Sequence, residues 1–273
     1  MNVSAAQQTL IVERLRTAGC VFAENEMEMI VSSANDAREL NEMLERRIAG
    51  FPVEQIVGWT VFCGVRIALD RGVFVPRRRS EFLVQEAVAV AKSTHTTHPP
   101  VVVDLCCGSG GLSAAIVAAL GDVELLAVDC DPVAVRCASR NLGGATVYQG
   151  DLYAPLPDTL KCCIDIIVAN VPYVPTDELR TLPAEARLHE PQMALDGGKD
   201  GLDVLRRVAA GAPQWLRPGG HLFIETSSRQ APTALQIFAS AGLIPHESTS
   251  SEFDATVVTG YNPDVITKVA YSP

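Results

Sequence analysis

An α/β fold, with a doubly wound, mostly parallel sheet of seven strands behind a small N-terminal helical domain, is the architecture this sequence predicts. Three observations predict it. From about Pro99 onward short apolar, β-branched runs alternate with longer amphipathic stretches, the pattern of parallel strands joined by crossover helices. Residues 5 to about 50 carry helical periodicity alone, so they read as a separate helical unit. Near the end two apolar runs flank a turn-rich stretch with no helix between them, and such runs pair as an antiparallel hairpin on one edge of the sheet.

In the helical unit the apolar residues recur at helical spacing: Leu10, Ile11 and Leu15, then Met27, Ile30 and Val31, then Leu40, Met43, Leu44 and Ile48,. Gly19 and Asn35 stand at the breaks, and Gly50-Phe51-Pro52 closes the last helix,. This places the unit at residues 1–57. "TVFCGVRIAL" has two short β-branched stretches around Cys63-Gly64, which predicts a hairpin within a linking segment at 58–75. Residues 76–273 then form the sheet domain. Its strands are expected at Val101 to Leu105, Val123 to Val128, Ala145 to Tyr148, Ile164 to Ala169 and His221 to Glu225. Helices are expected at Leu112 to Leu120, Pro132 to Arg140, Leu202 to Trp215 and Ala231 to Ala241. Ala255 to Val258 and Ile266 to Tyr271, flanking "TGYNPD", make the edge hairpin.

Composition narrows the class. With 48% hydrophobic and 20% charged residues the chain suits a soluble protein with a full core,. No apolar run approaches the roughly 18 residues a membrane span needs. The start, "MNVSAAQQTLIVERLR", is polar where a secretion signal carries an apolar block, so a cytoplasmic protein without a membrane partner is expected. The eight cysteines include the adjacent pairs Cys106-Cys107 and Cys162-Cys163 and no C-x-x-C spacing, which suits neither zinc nor a redox motif. They are expected as buried, reduced thiols, and no metal is expected. A formal charge of −10, from 22 basic against 32 acidic residues, opposes a nucleic-acid partner, because phosphate binding relies on lysine and arginine. The one basic knot is "PRRRSE", Arg77 to Arg79. It reads equally as a solvated turn or as a contact for an acidic partner or a buried carboxylate.

Ligands of open α/β sheets bind beyond the carboxyl ends of the strands. After the first strand, "VVVDLCCGSGGLSAA" places Asp104 before a turn in which Gly108 and Gly110 let the backbone approach a ligand,. A dinucleotide fingerprint wants glycine or alanine where Ser113 stands and has no acid at Asp104, so a nucleoside fits better. After the second strand Asp129 lies 19 residues past Gly110, about the separation at which an acid meets ribose hydroxyls. Its neighbour Asp131 reads as the cap of the helix opened by Pro132. After the third strand "YQGDLY" offers Asp151, an acceptor for an adenine amino group. Three acids at three successive strand ends predict a nucleoside pocket. The lack of a phosphate-binding lysine or G-K-[ST] element implies a ligand without phosphates. S-adenosyl-L-methionine is the candidate cofactor.

The fourth strand runs into "NVPY", Asn170 to Tyr173. Such a sequence either ends a strand in an asparagine–proline turn or presents a ligand clamp. In the clamp, Asn170 Oδ1 and the Val171 carbonyl each accept one hydrogen of an –NH2 group, Pro172 holds Val171 extended, and Tyr173 offers a flat face. An amide nitrogen is a poor nucleophile, its lone pair being delocalised into the carbonyl. Two acceptors stabilise the charge that develops on it and aim the lone pair at a methyl donor. Alignment of this kind contributes about 7 to 11 kcal/mol, and no general base is needed, because the methylated nitrogen sheds its proton afterwards. An amide, an aromatic amine or a nucleobase amine would each fit.

The loop resembles that of the HemK-type protein N5-glutamine methyltransferases, usually Asn-Pro-Pro-Tyr, which nucleobase amino-group methyltransferases share in close variants. "RRIAGFPVEQIVGWTVFCGVRIALDRGVFVPRRRSE" is similar to the family's interdomain segment, including Phe62, Gly64, Pro76, Arg77 and Glu81. "EPQMALDGGKDGLDVLRR" resembles its post-loop signature and "LRPGGHLFIETSSRQ" its next strand, with Glu225 and Gln230. The resemblance covers nearly the whole chain in order. It implies a Rossmann-like, S-adenosylmethionine-dependent methyltransferase sheet, with a cofactor site at Cys106, Cys107, Gly108, Ser109, Gly110, Asp129, Asp151, Leu152 and Asn170. It also implies an acceptor site at Asn170, Val171, Pro172 and Tyr173, and a protein substrate such as a release factor carrying a Gly-Gly-Gln loop. The helical unit is expected to dock that protein. The chain departs from the family at Val171, which replaces the first proline, at Arg79, where an acid or small polar residue is usual, and at Cys106-Cys107, which replaces Gly-Thr. An amide or amine of a small molecule or peptide metabolite is the alternative acceptor, a nucleobase a less favoured one, and a cofactor-binding regulator without turnover the reading of a different class.

Overall fold

The computed structural model describes residues 3–94 and 98–263, and in it the alternation of strands and helices becomes one seven-stranded sheet. Four helices precede it: α1 (Ala5–Thr17), α2 (Ala23–Ser33), α3 (Ala37–Ile48) and α4 (Val53–Val57). Their starts follow from local side chains. Ser4 accepts from the Gln7 N–H while Gln7 reaches back to the Ser4 backbone, and Asp36 accepts from the Glu39 N–H,. The predicted apolar stripe closes into a core of its own, with Leu15 and Ile30 fully buried beside Val53 and Ile56 of α4.

The hairpin forms as expected, β1 (Trp59–Phe62) against β2 (Val65–Ala68). Phe62 and Ile67 sink into the core of the sheet domain, worth about 1.5–3 kcal/mol each. Next comes α5 (Ser80–Ser93), which the sequence reading does not anticipate. Its N-terminal boundary falls on Arg79, which makes no capping hydrogen bond, so the usual start signal is missing.

The remainder runs β3 (Val101–Leu105), α6 (Gly111–Leu120), β4 (Glu124–Asp129), α7 (Pro132–Asn141), β5 (Thr146–Gln149), β6 (Ile164–Ala169), α8 (Ala184–His189), α9 (Asp203–Trp215), β7 (Leu216–Thr226), α10 (Ala231–Ser240), β8 (Ile244–Ser250) and β9 (Ala255–Tyr261). The edge hairpin needs correction. β9 pairs antiparallel with β7 and with β8 upstream of it, and Thr259 to Tyr261, read as turn, belong to the strand. β8 escaped notice because it is partly or fully exposed along its length and carries no apolar run. The expected partner at Ile266 to Tyr271 lies outside the described residues.

The strand order is β5-β4-β3-β6-β7-β9-β8, and β3 pairs in parallel with both β4 and β6. Chain order therefore reverses between β3 and β6, which opens a crevice at their carboxyl ends. Register decides what meets there. Leu105 is opposite both Val128 and Ala169, so Cys106, Asp129 and Asn170 leave the sheet side by side. Alternate residues feed two cores: Val103, Ile167 and Ile224 face α9 and α10, while Val102, Val168 and Phe223 face α5 and α6. β6 is buried throughout, which accounts for its apolar sequence; its one charged residue, Asp165, accepts from the Val101 N–H at 2.8 Å and pairs with Arg217.

All eight cysteines are free thiols. Cys20, Cys107 and Cys137 are buried as expected, but Cys130, Cys162 and Cys163 are exposed, because they fall in the turns that flank β4 and β6. No helix among the described residues is long and apolar enough to cross a membrane.

Candidate active site

A cavity of about 480 Å³ lies across the carboxyl ends of β3, β4 and β6. One half is built from the turn after β3. Cys106 takes φ +58° and Gly108 φ +55°, and no atom lies within 4 Å of where a Gly108 side chain would start, so the turn presents open backbone. Gly108 donates its N–H to Asp129 Oδ2 at 2.8 Å, and Asp129 Oδ1 accepts from the Asp131 N–H at 2.9 Å. Burial raises the Asp129 carboxyl above its ordinary range, against these two donors. Leu152 completes this half in a left-handed conformation, φ +50°, a strained geometry for a branched side chain that clusters at ligand sites. Asp151 lines the cavity too, paired with Arg207 at 2.5 Å.

Two of the expected cofactor residues are not on the wall. Asp104 lies beneath the turn, 1% exposed, where it accepts from the Ser113 hydroxyl at 2.6 Å. Burial pushes its carboxyl up to about 7, and Oδ1 has no partner. Gly110 serves packing: a side chain there would stand 3.1 Å from Leu142 and 3.3 Å from the Ala138 backbone on α7. Cys106, Cys107, Gly108 and Ser109 do line the cavity, and the buried Ser109 hydroxyl is unpartnered.

The other half is the loop after β6. Asn170, Val171, Pro172 and Tyr173 all line the cavity. Asn170 donates through Nδ2 to the hydroxyl of Ser80 at 3.0 Å, which leaves Oδ1 as the free acceptor. The Tyr173 hydroxyl donates to Glu225 Oε1 at 2.9 Å, and its carbonyl accepts from Gln230 Nε2 at 2.9 Å. Glu225 is 1% exposed. Burial lifts its carboxyl above the ordinary range, while Ser80, Tyr173 and Arg79 pull it back. Burial also lifts the Tyr173 hydroxyl, so it stays a neutral donor.

The basic knot acts on buried carboxylates. Arg77 holds both oxygens of Glu190, at 2.7 and 2.6 Å, and Arg79 lies 3.6 Å from Glu225. Ser80 and the covering segment around Leu182, Pro183 and Met193 are site elements that sequence reasoning missed. Ser80 follows three arginines on an unforeseen helix, and the segment has no regular periodicity.

Comparison with known proteins follows the same lines. The family model for ribosomal protein L11 methyltransferase (PrmA) matches residues 87–187. The chain is 36% identical over 204 residues to the release factor glutamine methyltransferase of Geobacter sulfurreducens, which covers 73% of this chain and 69% of that one. It is 34% identical over 210 residues to the 4-amino-L-phenylalanine/4-methylamino-L-phenylalanine methyltransferase of Streptomyces pristinaespiralis, covering 76% of this chain and 71% of that one. Among solved structures, ribosomal protein L11 methylase from Lactobacillus delbrueckii subsp. bulgaricus superposes with a TM-score of 0.51 at 18% identity, over 72% of this chain and 86% of that one, a likeness of fold.

Proposed function

The chain belongs to the family of release factor glutamine methyltransferases, and from that premise we propose that it N-methylates a glutamine side-chain amide in a protein such as a peptide-chain release factor. The observation that carries the reading is the fixed Asn170: with Nδ2 committed to Ser80, only an acceptor oxygen remains for the substrate.

The cofactor is S-adenosyl-L-methionine, and the residues suit it. An open glycine turn and a carboxylate at Asp129 offer backbone and acid partners to a ribose and its neighbours. Asp151 and Leu152 flank the base in this reading. When bound, the cofactor supplies a sulfonium methyl group. The chain's own residues do the rest. Asn170 Oδ1 and the Val171 carbonyl accept the two amide hydrogens, Pro172 fixes the Val171 carbonyl direction, and the Tyr173 ring backs the amide plane. Acceptors held rigid before reaction need not reorganise as charge develops on nitrogen. The helical unit, residues 1–57, docks the protein, and the site of action is the cytoplasm.

The test is transfer of label from methyl-labelled cofactor to a Gly-Gly-Gln release factor, read at the glutamine by mass spectrometry. Label elsewhere, or none, overturns the acceptor. Asn170→Ala should lower turnover at least a hundredfold while cofactor affinity stays within about threefold; equal loss of both would mean the residue is structural. A second reading has its own support. Val171 and Arg79 both depart from the family's usual loop and segment, and the Streptomyces relative is named for an aromatic amine of an amino acid. Turnover on 4-amino-L-phenylalanine with none on the release factor would favour it.

A further inference from the structure

Three arginines line the cavity: Arg77, Arg79 and Arg207. Two of them are committed. Arg77 holds both oxygens of Glu190, and Arg207 bonds Asp151 at 2.5 Å. Arg79 is not: its side chain is 48% exposed, and it approaches Glu225 Oε1 only through Nε, at 3.6 Å, longer than a hydrogen bond. That carboxylate oxygen already accepts from the Tyr173 hydroxyl at 2.9 Å. Glu225 thus steadies the guanidinium without using its hydrogens, and among the described residues nothing accepts from the two terminal nitrogens of Arg79,.

The position is beside the acceptor loop. Ser80, the next residue, accepts from Asn170 Nδ2 at 3.0 Å, so Arg79 adjoins the group that aims the Asn170 oxygen. Glu225 Oε1, which Arg79 faces, marks the hydroxyl end of the Tyr173 ring. A molecule with its nitrogen at Asn170 and its body along that ring leads to Arg79. The acids that line the cavity do not compete for it. Asp129, Asp131 and Asp151 follow β4 and β5, in the cofactor half, and Glu185 on α8 pairs with Arg47 at 3.2 Å. The fork of a guanidinium matches the two oxygens of a carboxylate. A single guanidinium beside Glu225 suits such a monoanion better than a phosphate dianion, which the Glu225 carboxylate repels.

We propose that Arg79 is a specificity-determining residue, which takes a carboxylate of the acceptor while the Asn170 loop holds the acceptor's nitrogen. This rests on the reading of that loop as the acceptor clamp. The carboxylate has two sources, an acidic side chain beside the target glutamine or the α-carboxylate of a free amino acid, and the test tells them apart. Water screens a half-exposed guanidinium, so the gain in affinity belongs at the low end for a charge-assisted bond, about tenfold.

The test is calorimetric titration of the full chain, with S-adenosylhomocysteine present, by two pairs of probes whose members differ in one charge. One pair is 4-amino-L-phenylalanine and its carboxamide; the other is capped Gly-Gly-Gln-Glu and capped Gly-Gly-Gln-Gln. The acid member of one pair should bind about tenfold tighter than its partner. In Arg79→Gln that preference should fall to within about twofold with S-adenosylhomocysteine affinity unchanged, and Arg79→Lys, which keeps the charge, should recover part of it. Preference in the amino-acid pair identifies an α-carboxylate, and preference in the peptide pair an acidic side chain. No binding of any probe, no preference in either pair, or a preference that survives Arg79→Gln overturns the subsite. Inorganic phosphate that competes more tightly than acetate, and only where Arg79 is present, overturns the carboxylate assignment. A preference lost in Arg79→Gln but untouched by Asn170→Ala, with no N-methyl product from any probe, leaves the Arg79 subsite standing and removes the acceptor clamp instead.

Discussion

A side-chain amide can turn end for end at little cost, so an acceptor role for Asn170 depends on whatever holds its Nδ2 elsewhere. Ser80 does this from 90 residues away in sequence. Ser80→Ala should therefore lower kcat about tenfold, with acceptor KM and cofactor affinity nearly unchanged, and Ser80→Thr should restore it; steady-state kinetics decides. Asp104 makes a different prediction, about stability. Its carboxyl, pushed up to about 7 by burial, holds a proton in the folded state that the unfolded chain releases near pH 4. The folded state then binds more protons between those values. Stability from this group is complete below about pH 4 and is lost as pH rises toward 7. The melting temperature should fall across that window, by about 2–4 °C for each kcal/mol, and Asp104→Asn should flatten the curve. Asp104 was legible at the end of a strand and Asn170 just beyond one; that one lies beneath the turn and the other faces the cavity was not.

At the scale of elements, the loop after β6 is gripped by the 197–201 turn. A side chain at Gly201, where φ is +77°, would stand 2.3 Å from the Tyr173 carbonyl oxygen and from Gln230 Nε2. Gly201→Ala should thus displace the acceptor loop, costing upwards of about 2 kcal/mol and most turnover. Gly121→Ala, also at positive φ but with open space around it, should cost only backbone strain, about 1–3 kcal/mol, and leave turnover intact. Paired urea melts and rates separate the two. Strands β3 and β6 were legible to the residue because burial on both faces demands a run of apolar residues, broken in each by a single aspartate that finds a hydrogen-bond donor,. β8 and α5 were not, since one is solvated and the other starts without a cap.

Across the whole molecule, the helical unit and the sheet domain have separate cores joined by polar contacts. Arg47 bonds Glu26 at 2.5 Å within the helical unit and reaches Glu185 of α8 at 3.2 Å, while Gln55 donates to the Val73 carbonyl at 3.0 Å. Arg47→Met strands Glu26, 8% exposed, as an unpaired buried charge, and should destabilise the protein by about 3–5 kcal/mol. Adding Glu26→Gln should recover most of that loss; chemical denaturation of both variants checks it.

The sequence by itself determined the layered α/β architecture, the succession of strands and helices along the central part of the chain and the residues at the strands' carboxyl ends, because burial periodicity and turn chemistry are local. It also carried the Asn-Val-Pro-Tyr loop whole. Only the tertiary structure decided which groups complete the site: Ser80 behind Asn170, Glu225 behind Tyr173 and Glu190 behind Arg77. Each joins segments far apart in the chain, and a hydrogen bond or ion pair between distant residues leaves no period in the sequence to read.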